Sequence, residues 1–352
     1  MKILMAGLWA WPQYEAAVAQ GLRQNGAEVF DLPLSGHFRN RWGRLQLTVP
    51  LPLSALWRVN REVLAEARRV QPDWVFFWRP THILPSTLKR LAAMGIRTAS
   101  YNNDDPFGPR AHGQVPWHHH ALWHWYIKCL PHFHMNFFYR RINCDEALAV
   151  GAKHAQVLLP YFIPAQDRPI ELDAAAQARY GCELVFVGHH EADGRETLVR
   201  SLVDAGIDLK LWGGASWSPA VLGDLQARLG PVQAVLGDDY RKALCGADIC
   251  LCLLSRLNRD TYTRRCFEIP ACGRVMLAER TADLTAMFKE DEEACFFSSP
   301  EELVSKARWL LDNAERRQRI AAAGLQRVWA DGHAVADRCR SLLQTLESGV
   351  RH

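Results

Sequence analysis

The 352-residue sequence contains no apolar run of the ~18–20 residues that a membrane-spanning helix needs. It has no C-x-x-C pair among its ten cysteines, which argues against a zinc ribbon and a dithiol redox motif. It carries no G-x-S-x-G, no H-E-x-x-H and no Walker A segment, which removes the best-marked hydrolases, zincins and P-loop enzymes. The turn after the first apolar run reads Gly7-Leu8-Trp9-Ala10-Trp11-Pro12 and lacks G-x-G-x-x-G. A dinucleotide pyrophosphate could not approach that backbone in the usual way. The formal net charge is only +4 and is spread along the chain, too weak a field to imply a nucleic-acid partner. No fixed-period repeat occurs.

What is present is an ordinary folded composition, 49% hydrophobic and 23% charged, long enough for about two domains. Ten unpaired cysteines suit small buried hydrophobes in a reducing cytoplasm. The opening MKILMAGLWAWPQYEAA resembles a signal peptide, but Pro12 and Gln13 interrupt its apolar run and no small-residue cleavage site follows, so Lys2 to Ala6 reads as a first buried strand.

Short apolar runs alternate with amphipathic stretches, the pattern of parallel α/β layers. Strands are expected at KILMA, 27–32, 74–78, 97–101 and 146–150, and again at 183–188, 208–213, 232–237, 248–254, 274–279 and 294–298. Helices are expected at 15–24, 57–70, 195–206 and 219–230, with Gly26 and Gly95 as left-handed residues just past helices. Ser299-Pro300-Glu301-Glu302 is a capping box, and it opens the first of the closing helices. The aperiodic, proline-rich stretch from Pro160 to Pro169 is the expected linker. The fold class is therefore α/β, with Rossmann-like domains at 1–162 and 163–352. Ligands of such folds bind beyond the carboxyl ends of the strands, here in a cleft between two facing domains.

Residues 255–281 carry most of the chemistry. Pro270 belongs in a first helical turn, which predicts a helix beginning near Phe267 with Glu268 at its start. Thr263, Arg264 and Arg265 then precede it, a loop of cations beside free N–H groups that suits a diphosphate. Glu268 is an acceptor-only group suited to a pair of ribose hydroxyls. A surface loop with ordinary ion pairs is the competing account. Asp104 and Asp105 follow a strand at its carboxyl end and could orient or deprotonate an acceptor hydroxyl. Asp105 is placed first and Asp104 second, although N-D-D-P is also plain turn chemistry. Trp9 and Trp11 could stack on a sugar face or cap the core. The stretch 112–141 has seven histidines without regularly spaced acidic or cysteine ligands, so no metal is assigned to it. It reads as a helical pair over the N-terminal sheet. Its Trp, His, Tyr and Arg would also suit a membrane interface.

RCFEIPACG followed by VMLAERT resembles the signature of CgeB-like glycosyltransferases, a family named for a spore maturation protein. LVFVGHHEADGRETLVRSL, LKLWGGASW, DYRKALCGADICLCLL, EACFFSSPEELVSKARWLL and RQRIAAAGLQRV extend the resemblance through most of the C-terminal half. In the N-terminal half it rests chiefly on YNNDDPFG. The resemblance implies a GT-B-like arrangement with the nucleotide-sugar donor in the C-terminal domain and the acceptor in the N-terminal one. Retaining enzymes of this arrangement carry two acidic residues separated by seven others. Asp260 and Glu268 reproduce that spacing, with Asp in place of the usual first Glu. Glu268 would then face the ribose, Asp260 the donor sugar and Arg265 the departing diphosphate, without a metal. Thr263 lies in the same segment. Gly188 marks the loop before Arg195, which is either a second diphosphate contact or a solvated first-turn arginine. Tyr240 either packs on the base or lies in the core.

The implied activity is metal-independent transfer of a sugar, hexosyl in type, to a glycan, lipid-linked or protein acceptor. The nucleotide-sugar is a co-substrate and no further cofactor is expected. A cytoplasmic protein of cell-envelope glycan synthesis, peripheral at the inner membrane face, fits this reading. A GT-B-fold sugar-nucleotide epimerase and a non-catalytic nucleotide- or glycan-binding scaffold are the alternatives.

Overall fold

The computed structural model describes residues 1–108 and 117–349. The segment WVFFW is buried at all five positions, which only a sheet covered on both faces permits. It is β3 of the first sheet, whose strands are β1 (Lys2–Gly7), β2 (Glu28–Pro33), β3 (Trp74–Trp78), β4 (Arg97–Asn102), β5 (Met135–Phe138) and β6 (Ala155–Val157). Their order is β2-β1-β3-β4-β5-β6 and every pairing is parallel. The chain leaves β1 toward β2 on one side and returns to β3 on the other. Loops after β1 and β3 therefore flank a switch point, where this fold class places its sites.

The second sheet comprises β7 (Cys182–Val187), β8 (Leu209–Trp212), β9 (Ala247–Cys252), β10 (Val275–Glu279) and β11 (Cys295–Phe297). Its order is β11-β10-β9-β7-β8, again all parallel, with the switch point between β7 and β9. A separate hydrophobic core underlies each sheet.

The chain divides into two compact units, one of Pro160–Ala334 and one of Met1–Leu159 completed by the residues from Val335 onward. The division falls three residues before the expected 162/163 boundary, and the last helix, Val335–Ser348, does not stay with the second unit. It packs on the helix Ala17–Gln24, where Gly21 makes room for it. A Cβ at Gly21 would lie 2.7 Å from Cys339 Sγ. Asn25 Nδ2 donates to Ala336 O at 2.8 Å across the same contact.

Most expected strands appear within a residue or two of their places, and Gly26 and Gly95 take the left-handed φ of 84° and 74°. The capping box at Ser299 is present, its side chain accepting from Glu302 N at 3.2 Å. Four segments differ. The helix expected at 219–230 is broken at Gly223, whose φ is 56°, into Pro219–Leu222 and Leu225–Leu229. Residues 146–150 lie in the helix Arg141–Ala149, whose Asn143, Cys144 and Ala147 are buried at helical spacing, and in the turn after it. Residues 232–237 form no strand. Gln233 O accepts from Gly213 N at 3.0 Å, but Gln233, Ala234 and Leu236 stay exposed beside the edge strand β8. Among its described residues, the segment expected to be a helical pair holds the α-helix Trp117–Cys129 and a short 3-10 turn, Leu130–His132, followed by β5. Residues 109–116, the start of that histidine-rich stretch, lie outside the described residues.

Candidate functional site

In the second unit, the loop after β9 ends in the helix Arg265–Ala271. It starts two residues earlier than Pro270 suggests, and Pro270 lies inside it near the end, where its missing N–H removes a single bond. Thr263 O accepts from Cys266 N at 3.0 Å, and Arg264 O accepts from Phe267 N at 2.9 Å and from Glu268 N at 3.1 Å. These bonds wind the first turn, so Arg264 caps the helix, Arg265 opens it and Glu268 faces both arginines. Cys266, Phe267 and Ile269 turn into the core and fix its rotation. With only seven residues the helix has little dipole of its own, so the charges here come from side chains.

Glu268 is 7% exposed. Its Oε2 accepts from the Tyr240 hydroxyl at 2.7 Å and its Oε1 lies 2.8 Å from Arg264 Nε. Arg264 also reaches Asp167, Nη2 to Oδ2 at 3.5 Å, and lies 5.5 Å over the Tyr161 ring. Asp167 in turn accepts from Ile163 N at 2.7 Å. Two buried carboxylates thus share one guanidinium. Burial and the nearby charge of Glu268 push Asp167 up to about 7, against the pull of Arg264. Burial, with Glu268 next to it, also raises the Tyr240 phenol, so Tyr240 acts here as a donor. Arg265 lies near Tyr240 and Glu268, and its buried Nε has no hydrogen-bond partner among the described residues. Asp260 and Thr263 are half-buried in the preceding loop, where Asp260 N donates to Ser255 O at 2.9 Å.

The Gly188 loop follows β7 on the other side of the switch point. Gly188 O accepts from Trp217 Nε1 at 2.8 Å, and a Cβ on Gly213 would lie 2.0 Å from that same oxygen. Gly213 requires glycine for this close approach, and at Gly188 a Cβ would lie 2.7 Å from the Phe186 ring. Arg195 is 3% exposed and is not a solvated arginine. It holds Asp193 with two donors, Nε at 2.8 Å and Nη2 at 2.6 Å, and donates Nη1 to His189 O at 2.7 Å. Its guanidinium is engaged in pinning the loop. Glu191, 3.5 Å from Arg195, accepts from Ser255 Oγ at 2.5 Å and so ties this loop to the one carrying Asp260. Burial opposes ionisation of Glu191, but bonds from His189 and Ser255 and the charge of Arg195 hold it below the usual carboxylate range. Beside these loops, at the carboxyl ends of β9, β10 and β11, lies a cavity of about 370 Å³ lined by Asp193, Arg195, Arg256, Glu279 and Arg280. Glu279 accepts from Leu254 N at 2.6 Å, and burial raises its carboxyl.

In the first unit the two neighbouring aspartates differ sharply. Asp105 is 1% exposed and its Oδ1 accepts from Phe107 N at 3.1 Å, Gly108 N at 3.2 Å and Asn143 Nδ2 at 2.9 Å. Its carboxylate builds the turn, which displaces it from first place on the acceptor side. Asp104 stays half-buried and takes Arg79 Nε at 2.5 Å. Arg79 follows β3 with a positive φ of 48°, and Trp9 follows β1 with φ of 55°, both at the switch point. Trp9 N donates to Glu15 Oε1 at 3.0 Å, and a Cβ on Gly7 would lie 2.6 Å from that oxygen. Burial raises Glu15 against the Trp9 N–H and the charge of Arg79. Trp11 is exposed.

Asp167 and Tyr161 carry no sequence signal because they sit in the aperiodic, proline-rich stretch, and Glu15 reads only as the start of the helix expected at 15–24. Glu191 and Glu279 lie inside segments whose sequence is informative, but only the fold shows them converging on Arg195. Among the described residues no group of three His, Cys, Asp or Glu could hold a metal ion.

A family model described as Glycosyl transferase-like matches residues 195–344. A search of curated protein sequences finds no match. HepE from Anabaena, solved with UDP and glucose, superposes with a TM-score of 0.68 at 11% identity, over 99% of this chain and 100% of its own. Sucrose-phosphate synthase from Thermosynechococcus elongatus superposes with a TM-score of 0.70 at 13% identity, over 99% of each chain. A Listeria monocytogenes protein described as a UDP-N-acetylglucosamine 2-epimerase gives a TM-score of 0.57 at 13% identity, over 99% of this chain and 96% of its own. These likenesses show the fold: α/β, with two Rossmann-like units of the kind found in GT-B glycosyltransferases.

Proposed function

We propose that the protein is a nucleotide-sugar-dependent glycosyltransferase of the CgeB-like type, transferring a hexosyl group without a metal ion. The observation that carries this reading is the buried Glu268 carboxylate beside Arg265, whose Nε is unpartnered among the described residues. A carboxylate held by Tyr240 and Arg264 keeps a lone pair on each oxygen for the two hydroxyls of a ribose. Arg265 then meets the diphosphate. As the bond from the sugar to the diphosphate breaks, the electron pair leaves with the nucleoside diphosphate, and a fixed guanidinium stabilises that charge. Asp260 is assigned to hydroxyls of the donor sugar, and the pinned Gly188 loop with Arg195 shapes the neighbouring wall. On the first unit, Asp104, oriented by Arg79, is assigned to the acceptor hydroxyl. The glycosyl transferase-like match over 195–344 and the likeness to a protein solved with UDP and glucose support the donor class. The acceptor class is a glycan, a lipid-linked saccharide or a protein.

The epimerase likeness sustains a second reading, in which the donor alone is converted to its epimer. Thermal-shift screening against UDP, GDP, dTDP, CMP and ADP, followed by turnover of the matching sugar nucleotides, tests both. Release of nucleotide that depends on an added acceptor supports transfer, and an epimer formed without acceptor supports the second reading. Binding with neither reaction would leave a scaffold. EDTA is expected to leave transfer intact.

A further inference from the structure

The first unit carries an exposed surface that the donor chemistry does not use. The helix Arg41–Thr48 buries Gly43 and Gln46, and so turns Trp42 and Leu45 outward. Trp42 is 72% exposed. After the turn that ends this helix, Leu51 and Leu53 are exposed two residues apart, and Trp57 is 58% exposed in the first turn of the helix Ser54–Val70. Five large apolar side chains thus face water within one short, continuous stretch of chain. A soluble surface scatters such residues singly, so this concentration marks something that covers them.

Within the stretch itself the charges have one sign. Arg39, Arg41, Arg44, Arg58 and Arg61 lie in the same stretch, and no Asp or Glu occurs between Leu32 and Arg61. On the short helix, Arg41 and Arg44 share the exposed side with Trp42 and Leu45. Charged and titratable groups that face this stretch from its neighbours include the buried His82, whose Nε2 lies 2.7 Å from Gln46 O, His37, paired with Glu62, and the exposed His118, His120, His124 and Lys128 of the helix Trp117–Cys129. That helix packs against Arg41–Thr48, and Trp125 Nε1 donates to Pro50 O at 2.9 Å. Cations and tryptophans interleaved on an outward face are the chemistry of an interfacial surface, in which indole rings sit at headgroup level and arginines meet lipid phosphates.

We propose that residues 39–61 form a docking surface for an anionic lipid bilayer, on which the protein lies without spanning it. No described helix is long and apolar enough to cross a membrane. The surface expected for membrane contact from the composition of 112–141 is therefore centred on a different segment, and the histidine-rich helix flanks it. An acidic protein would answer the arginines but not the outward tryptophans and leucines, and a second copy of this like-charged face would repel itself. The bilayer satisfies both features.

The test is co-sedimentation of the full chain with vesicles of phosphatidylcholine alone or mixed equally with phosphatidylglycerol, at low and high salt. Binding is expected to the phosphatidylglycerol vesicles, to weaken strongly at high salt, and to fall about tenfold or more in Trp42→Ser/Trp57→Ser and in Arg41→Glu/Arg44→Glu. Both variants change exposed residues, and their melting curves and nucleotide affinity are expected to match the parent. Absence of vesicle binding, equal binding to both vesicle types, or binding unchanged in the two variants would overturn the proposal. So would a dimer in solution that the tryptophan variant dissociates, since the face would then belong to a second copy.

Discussion

The Tyr240 hydroxyl donates a 2.7 Å hydrogen bond to Glu268 Oε2, joining the first turn of the helix Asp238–Gly246 to that of Arg265–Ala271. The phenol is thus committed to orienting a carboxylate. Tyr240→Phe keeps the ring and removes only that bond. Nucleotide affinity is expected to fall roughly threefold to tenfold, the value of one hydrogen bond to a charged group that can partly re-form elsewhere. Titration calorimetry on Tyr240→Phe and Tyr240→Leu checks this. A Phe variant equal to the parent beside a weak Leu variant would make the ring, and not the bond, the useful part.

Asp167 gives the site a pH signature. Its carboxyl is pushed from an ordinary 3.8 up to about 7, by burial first and by Glu268 second. Between those values the folded chain holds a proton that the unfolded chain has released. This contribution to stability is therefore full below the unfolded value and is lost as pH rises through about 7. Asp167→Asn stands in for the protonated form. Its melting temperature is expected to gain a few degrees on the parent between pH 5 and pH 8. A constant difference across that range in thermal melts would contradict the assignment.

The pair at 104 and 105 should separate chemistry from architecture. Asp105→Ala removes the acceptor for two turn N–H groups and for Asn143, and is expected to cost about 1–3 kcal/mol of stability in denaturant titrations. Asp104→Asn should leave stability nearly unchanged and lower transfer about 10²-fold, with nucleotide affinity unaltered. Transfer at the parent rate in Asp104→Asn would remove it from the acceptor side.

Arg195 is the part of the donor half with most at stake in folding. Its guanidinium and the Asp193 carboxylate are both almost fully buried, and they meet at 2.6 Å. Removing one partner leaves the other charge buried alone, so Arg195→Met is expected to cost roughly 3 kcal/mol. Denaturant titration measures it. A variant as stable as the parent would show that the loop is held by other contacts.

The fold was readable where one period dominated. WVFFW and KILMA could only be buried strands, and Ser299 with Glu302 announced a helix start that the structure places there. Legibility failed where composition hid the period. MNFF at 135–138 follows a run of histidines and tryptophans and is nonetheless an interior strand, with Asn136 Oδ1 satisfied by Ser100 Oγ at 2.9 Å. The return of the last helix to the first unit has no local signal, because Gly21 and Cys339 are 318 positions apart and their contact is a property of packing alone. At the site, the Asp260 and Glu268 spacing was visible and Asp167 was not. A lone aspartate among prolines looks like a linker until the fold sets it against Arg264.

The central claim is that Glu268 holds the ribose of a nucleotide donor, and calorimetric titration of a nucleoside diphosphate into the parent and Glu268→Ala tests it most directly. UDP is the first choice, with the diphosphate giving the largest thermal shift as the alternative. Loss of a charge-assisted hydrogen bond predicts affinity lower by roughly 10- to 150-fold, or about 1.5–3 kcal/mol, with the melting curve still that of a folded protein. A folded Glu268→Ala variant that binds the nucleotide as tightly as the parent would contradict the account.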